Sequence, residues 1–291
     1  MSLTVAIPFG VGSAVIYGTS IVVQHRMAQQ HAGDDGQASA RGLLRLFRNP
    51  IFILAIGGDL IGFLLQVVAL TTGPVVIIQP LVVLMLPVSL VAAYLMGGHR
   101  PTRGDAVGVL GVIGGLALFL ALVGQPSVGA VPRPRVLALA VILVLVIGGV
   151  CAAVVAGANK IVRGVMYGAV GGAYFGTLAV MVDAASEQAR KHGVTSLVTH
   201  SRGLVPVICL LCLALGGMVL TQMSFQVGAL GATLPANIAV DPFMGVLLGV
   251  LVLHERIPRT TAHLAAYAAA VVVIVAGAIR LANPHDADAT V

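Results

Sequence analysis

The stretch FGVGSAVIYGT (Phe9–Thr19) returns later in the chain as YGAVGGAYFGT (Tyr167–Thr177). Gly10, Ala14 and Gly18 fall on Gly168, Gly172 and Gly176 at one constant offset. Small residues four apart let two helix backbones approach closely in lipid, where no hydrophobic force drives helices together. A second match, QVVAL (Gln66–Leu70) with QVGAL (Gln226–Leu230), follows at nearly the same offset. Beyond each match come a turn (TTGP, then GATLP), a proline-bearing apolar segment and a basic loop, HRPTR in one case and ERIPRT in the other.

The repeat is set in a chain of 291 residues, 58% hydrophobic and 9% charged, with a mean hydropathy of +1.05. Soluble domains carry roughly 25% charged residues, so lipid is the solvent here. Apolar windows of about 20 residues fall at 4–24, 50–72, 74–96, 106–124, 136–157, 163–183, 204–230, 234–253 and 261–281. The expected fold is all-α and integral to the membrane. Nine transmembrane helices form a single domain over 1–291: repeat one at 4–124, a linker helix at 136–157 and repeat two at 163–281. An odd number of crossings separates spans one and six, so the halves of this 4+1+4 arrangement run in opposite directions. Inverted repeats of this kind build alternating-access carriers, with the path between the halves near the midplane. The N-terminal segment lacks a basic leader, and its apolar run is long, so it reads as a mature span and not a signal peptide.

The net charge of +6 is spread over loops. Nucleic-acid binding needs a basic face with aromatic interleaving, and no nucleic-acid partner is expected. With basic residues setting topology, one side collects nine of the lysines and arginines and the other seven. Six of the nine lie in its first two loops, which places that side in the cytoplasm. The N-terminus is then outside and the C-terminus cytoplasmic, in an inner or plasma membrane. Arg41, Arg45 and Arg48 recur along one face of ARGLLRLFRN (Ala40–Asn49), the pattern of a short helix lying on the lipid surface. Cys151, Cys209 and Cys212 sit inside apolar segments and read as fillers. There is no H-E-x-x-H, phosphate loop or G-x-S-x-G, so no enzymatic activity and no cofactor are expected.

Function rests on the polar residues within the spans. Asp59 lies in the second and Asp241 in the eighth, with no lysine or arginine in mid-span to pair with them. A bare carboxylate in hydrocarbon costs at least ~2.5 kcal/mol. Each must be protonated, hydrogen-bonded, wetted or neutralised by a cation that comes and goes. Asp59 and Gln66 lie close to one helical face, Asn237 and Asp241 are one turn apart, and so are Gln222 and Gln226. Tyr17, Ser20 and Gln24 share a face of the first span. Gln79 precedes Pro80 in the third span, as Asp241 precedes Pro242 in the eighth, and each proline frees a carbonyl one turn upstream. The candidate pathway is therefore Tyr17, Gln24, Asp59, Gln66, Gln79, Gln226, Asn237 and Asp241. Each amide taken alone reads first as interhelical glue, and the pathway role rests on the two aspartates.

YGTSIVVQHR at the end of the first span, PVVIIQPLVVLMLPVSLVAAYL in the third and the 4+1+4 order resemble the NIPA family of magnesium transporters. That family is a branch of the drug/metabolite transporter (EamA-like) superfamily. ALGATLPANIAVDPFMGVLLGVLVLHERIP is similar to the end of a superfamily repeat, where a proline-bearing span closes on a glutamate, here Glu255. The third span departs from the pattern, closing on MGGHRP without an acidic residue. The resemblance implies a divalent cation as substrate. Magnesium keeps several waters and needs one or two carboxylates with neutral oxygens, so the resemblance implies Asp59 and Asp241 as metal contacts, with the glutamines supplying the neutral oxygens. Two other readings stay open: a proton-coupled exporter or flippase of a small metabolite, drug or lipid-linked headgroup, and a non-transporting scaffold. The small-residue ladder would suit a homodimer, and the lipid bilayer is the common partner in all three.

Overall fold

The computed structural model describes residues 3–32, 40–72, 81, 83–98, 100–124, 133–252, 258 and 260–282. Among them the chain is wholly helical. The elements are α1 (Leu3–Gln30), α2 (Ala40–Leu46), α3 (Pro50–Thr72), α4 (Met85–Leu95), α5 (Arg103–Val123), α6 (Pro134–Val154), α7 (Lys160–His192), α8 (Ser196–Thr199), α9 (Ser201–Val227), α10 (Leu230–Leu251) and α11 (Thr261–Ala282). A 3-10 turn, Val155–Gly157, follows α6.

Eight of these helices are long and apolar enough to cross a membrane, and the protein is a multi-pass membrane protein. Each agrees within a few residues with an expected span, except that α1 continues to Gln30 and α7 runs on to 33 residues. At ~1.5 Å per residue that is roughly 50 Å, well beyond the ~30 Å hydrocarbon core. The expected third span is described as α4, an apolar helix of 11 residues. Its first part, with Gln79 and Pro80, lies outside the described residues, as does Glu255. The surface helix forms as α2, with Arg41 and Arg45 exposed on it, Arg48 exposed just beyond, and Leu43 and Leu46 buried.

The chain packs as two compact units that are discontinuous in sequence. The first holds Met1–Gly124, Phe225–Pro235 and Arg259–Val291; the second holds Gln125–Ser224 and Ala236–Pro258.

In the first unit α1 and α3 form an antiparallel pair closed by small residues. A Cβ on Gly58 would strike the Ser20 hydroxyl, and one on Gly62 would lie 3.2 Å from the Tyr17 ring. Ser13 Oγ donates to the Gly62 carbonyl at 2.8 Å. Gly18 lies against α4, where an added Cβ would come within 2.8 Å of the Met85 carbonyl and 2.7 Å of Val88. The last helix, α11, packs on α5 through Gly108, Gly111, Gly115 and Gly277. α5 itself starts on a capping box: Thr102 Oγ1 accepts from the Asp105 amide at 3.1 Å, and the Thr102 amide donates to Asp105 Oδ2 at 2.7 Å. Such a box satisfies two otherwise orphaned donors of the helix start.

In the second unit α7 is the most enclosed span and α6 the least. Tyr174 donates to the Leu145 carbonyl of α6 at 2.8 Å. The repeat's glycines face α10: a Cβ on Gly172 would collide with the Asn237 carbonyl, and one on Gly176 with the Asp241 carbonyl. α10 continues as a helix through Asp241 and Pro242. The Asp-Pro step is thus built into a continuous helix whose backbone is pressed against glycine.

Candidate functional site

Asp59 lies on α3, roughly 13 Å from its start at ~1.5 Å per residue. Its Oδ2 accepts a 2.6 Å hydrogen bond from Nε2 of the buried Gln24 on α1. Its Oδ1 is buried and without a hydrogen-bond partner, and no basic side chain pairs with the group among the described residues. An ionised carboxylate offers about four acceptor sites, so one neutral donor leaves it far from satisfied. Along the same α1/α3 seam Tyr17 donates to Gln66 Oε1 at 3.5 Å, the long limit of such a bond. The structure therefore gathers Tyr17, Gln24, Asp59 and Gln66 from two separated stretches of sequence.

Asn237 and Asp241 belong to the second unit. Asn237 Nδ2 donates to the Gly168 carbonyl of α7 and to Thr221 Oγ1 of α9, both at 3.1 Å. Asp241, one turn further along α10, is half-buried, and its carboxylate makes no hydrogen bond among the described residues. Gly176 packs on the Asp241 carbonyl as Gly18 packs on the Met85 carbonyl in the first unit.

Gln226 keeps other company. It is buried in the first unit, where a Cβ on Gly42 of the surface helix would lie 3.3 Å from its Nε2. Gln79 lies outside the described residues. Three participants escaped the sequence reading: Ser13, Thr221 and His25. His25 is buried with Nε2 3.0 Å from the Gly228 carbonyl and its ring edge-on to Phe225 at 5.5 Å. Serine and threonine in a span commonly bond their own helix, so their spacing alone carries no signal. His25 stands near a span end, where a histidine reads as interfacial.

Among the described residues no three histidine, cysteine or acidic side chains gather into a metal-binding group. Asp59 in the first unit and Asp241 in the second each stand as a single carboxylate.

No family model matches the chain. No solved structure matches it. An uncharacterised protein of Corynebacterium glutamicum is 29% identical over 289 residues, which cover 96% of this chain and 94% of the relative.

Proposed function

We propose that this chain is an alternating-access transporter of the drug/metabolite transporter superfamily, of the NIPA-like kind, and that it carries a cation such as Mg2+ across the cell membrane. The observation that carries the reading is Asp59: a carboxylate in mid-span that, among the described residues, is held by the neutral donor Gln24 alone, with its second oxygen unpartnered. Intramembrane carboxylates without a basic partner mark ion and proton pathways, because their desolvation cost is otherwise unrecovered. Gln24 leaves one oxygen of Asp59 for an ion; in the second unit Asn237 and Asp241, one turn apart on α10, carry side-chain oxygens of their own. Each positive charge entering down the potential gains roughly 2.3 kcal/mol per 100 mV, which is enough to drive uptake of a divalent ion.

The inverted repeat draws support from local packing. In each unit the glycine that ends the small-residue ladder, Gly18 or Gly176, is pressed against a backbone carbonyl of the helix two spans later.

The test is flux in liposomes for the parent, Asp59→Asn and Asp241→Asn. Magnesium entry that both substitutions abolish supports the proposal. Movement of protons with no divalent ion present would replace it with a proton-coupled metabolite carrier, and flux of neither kind with a scaffold.

A further inference from the structure

Resting on the transporter reading, we infer that Thr221 is a positioning residue that locks Asn237 with its carbonyl oxygen free, so that α10 offers a passing solute only acceptors and selects a cation. Both hydrogens of the Asn237 amide nitrogen are committed, to the Gly168 carbonyl and to Thr221 Oγ1. The Gly168 carbonyl can only accept, so it fixes which end of the amide carries nitrogen. Oδ1 of Asn237 accepts nothing among the described residues and is not sealed off as a buried orphan. The Asp241 carboxylate lies one turn on, on the same face of α10. An amide otherwise binds donors and acceptors alike; with its donors spent, it is an oxygen ligand. A carboxylate-bearing metabolite or other anion would meet only lone pairs there, whereas a metal ion or ammonium-type cation would meet two oxygens.

The arrangement needs a glycine beside it. A Cβ on Gly171 would lie 2.6 Å from Thr221 Oγ1 and 3.1 Å from Asn237 Nδ2. It would wedge between the lock and the amide it holds.

Two substitutions attack the lock from different sides. Thr221→Val keeps the volume and removes the acceptor; Gly171→Ala keeps both partners and pushes them apart; Thr221→Ser is the rescue control. The readouts are the KM and maximal rate of Mg2+ flux in liposomes, and the Mg2+-dependent rise in the unfolding temperature of the detergent-purified protein. The expected result is a KM for Mg2+ raised about tenfold in Thr221→Val and Gly171→Ala, the scale of one lost hydrogen bond. Their Mg2+-dependent shift should shrink to match, while Thr221→Ser keeps the parent's values. Parent-like KM and shift in both variants overturn the lock while leaving the transporter reading intact. A parent with a Mg2+-dependent shift that these variants lose, but without flux, upholds the cation face and overturns transport. No flux and no shift in the parent overturn both.

Discussion

Gln24 and Asp59 come from antiparallel helices, and the amide of one reaches the carboxylate of the other at 2.6 Å. The bond separates what Asp59 does for the fold from what it does for an ion. A hydrogen bond to a charged group contributes about 1.5–3 kcal/mol, and an asparagine at position 59 still offers an oxygen to Gln24. Asp59→Asn should therefore unfold within about 1 kcal/mol of the parent while Mg2+ flux falls at least roughly tenfold, as it must if the charge is what transport uses. Gln24→Leu should behave differently, losing about 1.5–3 kcal/mol of stability because it leaves the carboxylate bare. Thermal unfolding in detergent, set beside liposome flux, distinguishes the two. Equal destabilisation by both substitutions would make Asp59 a structural residue.

Gly176 tests the crossing that holds Asp241. Its neighbour there is the Asp241 backbone carbonyl, with Met244 Cβ at 3.0 Å from an added methyl. Backbone has no rotamer with which to yield, so Gly176→Ala should cost about 1–3 kcal/mol, as overpacking does. Gly149 on α6 has nothing within 4 Å of an added Cβ, and Gly149→Ala should be neutral or gain up to about 1 kcal/mol from helix propensity. Similar unfolding temperatures for the two would remove the packing role assigned to the ladder.

These glycines also show how far the sequence could be read. Their spacing of four announced a close helix approach, and the spans they sit in formed almost where hydropathy placed them, because both features are local. Partners are not local. Nothing in FGVGSAVIYGT says that Gly18 meets Met85, nor that the Gln24 face of α1 turns to Asp59. Nor does the match of Gln226 to Gln66 in sequence say that Gln226 lies beside Gly42 of α2. The chain's last helix joins α5 in the first unit, a pairing that short-range patterns do not encode.

That pairing gives a third prediction, from adjacent residues of one helix. A Cβ on Gly115 would lie 2.7 Å from Ile274 Cγ1 and 3.0 Å from the Ala270 carbonyl, while one on Gly114 meets nothing within 4 Å. Gly115→Ala should destabilise by about 1–3 kcal/mol, and Gly114→Ala should not. Unfolding followed in detergent decides it; loss of stability in Gly114→Ala as well would mean that α5 does not dock on α11 through the Gly115 face.

The parity of crossings tests the repeat itself. Eight helices are long enough to span, while α4, with 11 residues, is roughly 16 Å long at ~1.5 Å per residue, short of the ~30 Å core. If the whole apolar segment 74–96 crosses, the count is odd and the termini lie on opposite faces. If it does not, the count is even, the termini share a face, and spans one and six cannot be related as inverted repeats in a 4+1+4 order. Basic residues crowd the first two loops on one side, and the topology expected from them has the C-terminus in the cytoplasm and the N-terminus outside. A C-terminal fluorescent fusion should therefore mature and glow, and an N-terminal epitope should be cleaved by protease added to intact spheroplasts. Protection of both ends, or exposure of both, would refute the inverted repeat and remove the topological support for alternating access, whatever Asp59 proves to bind.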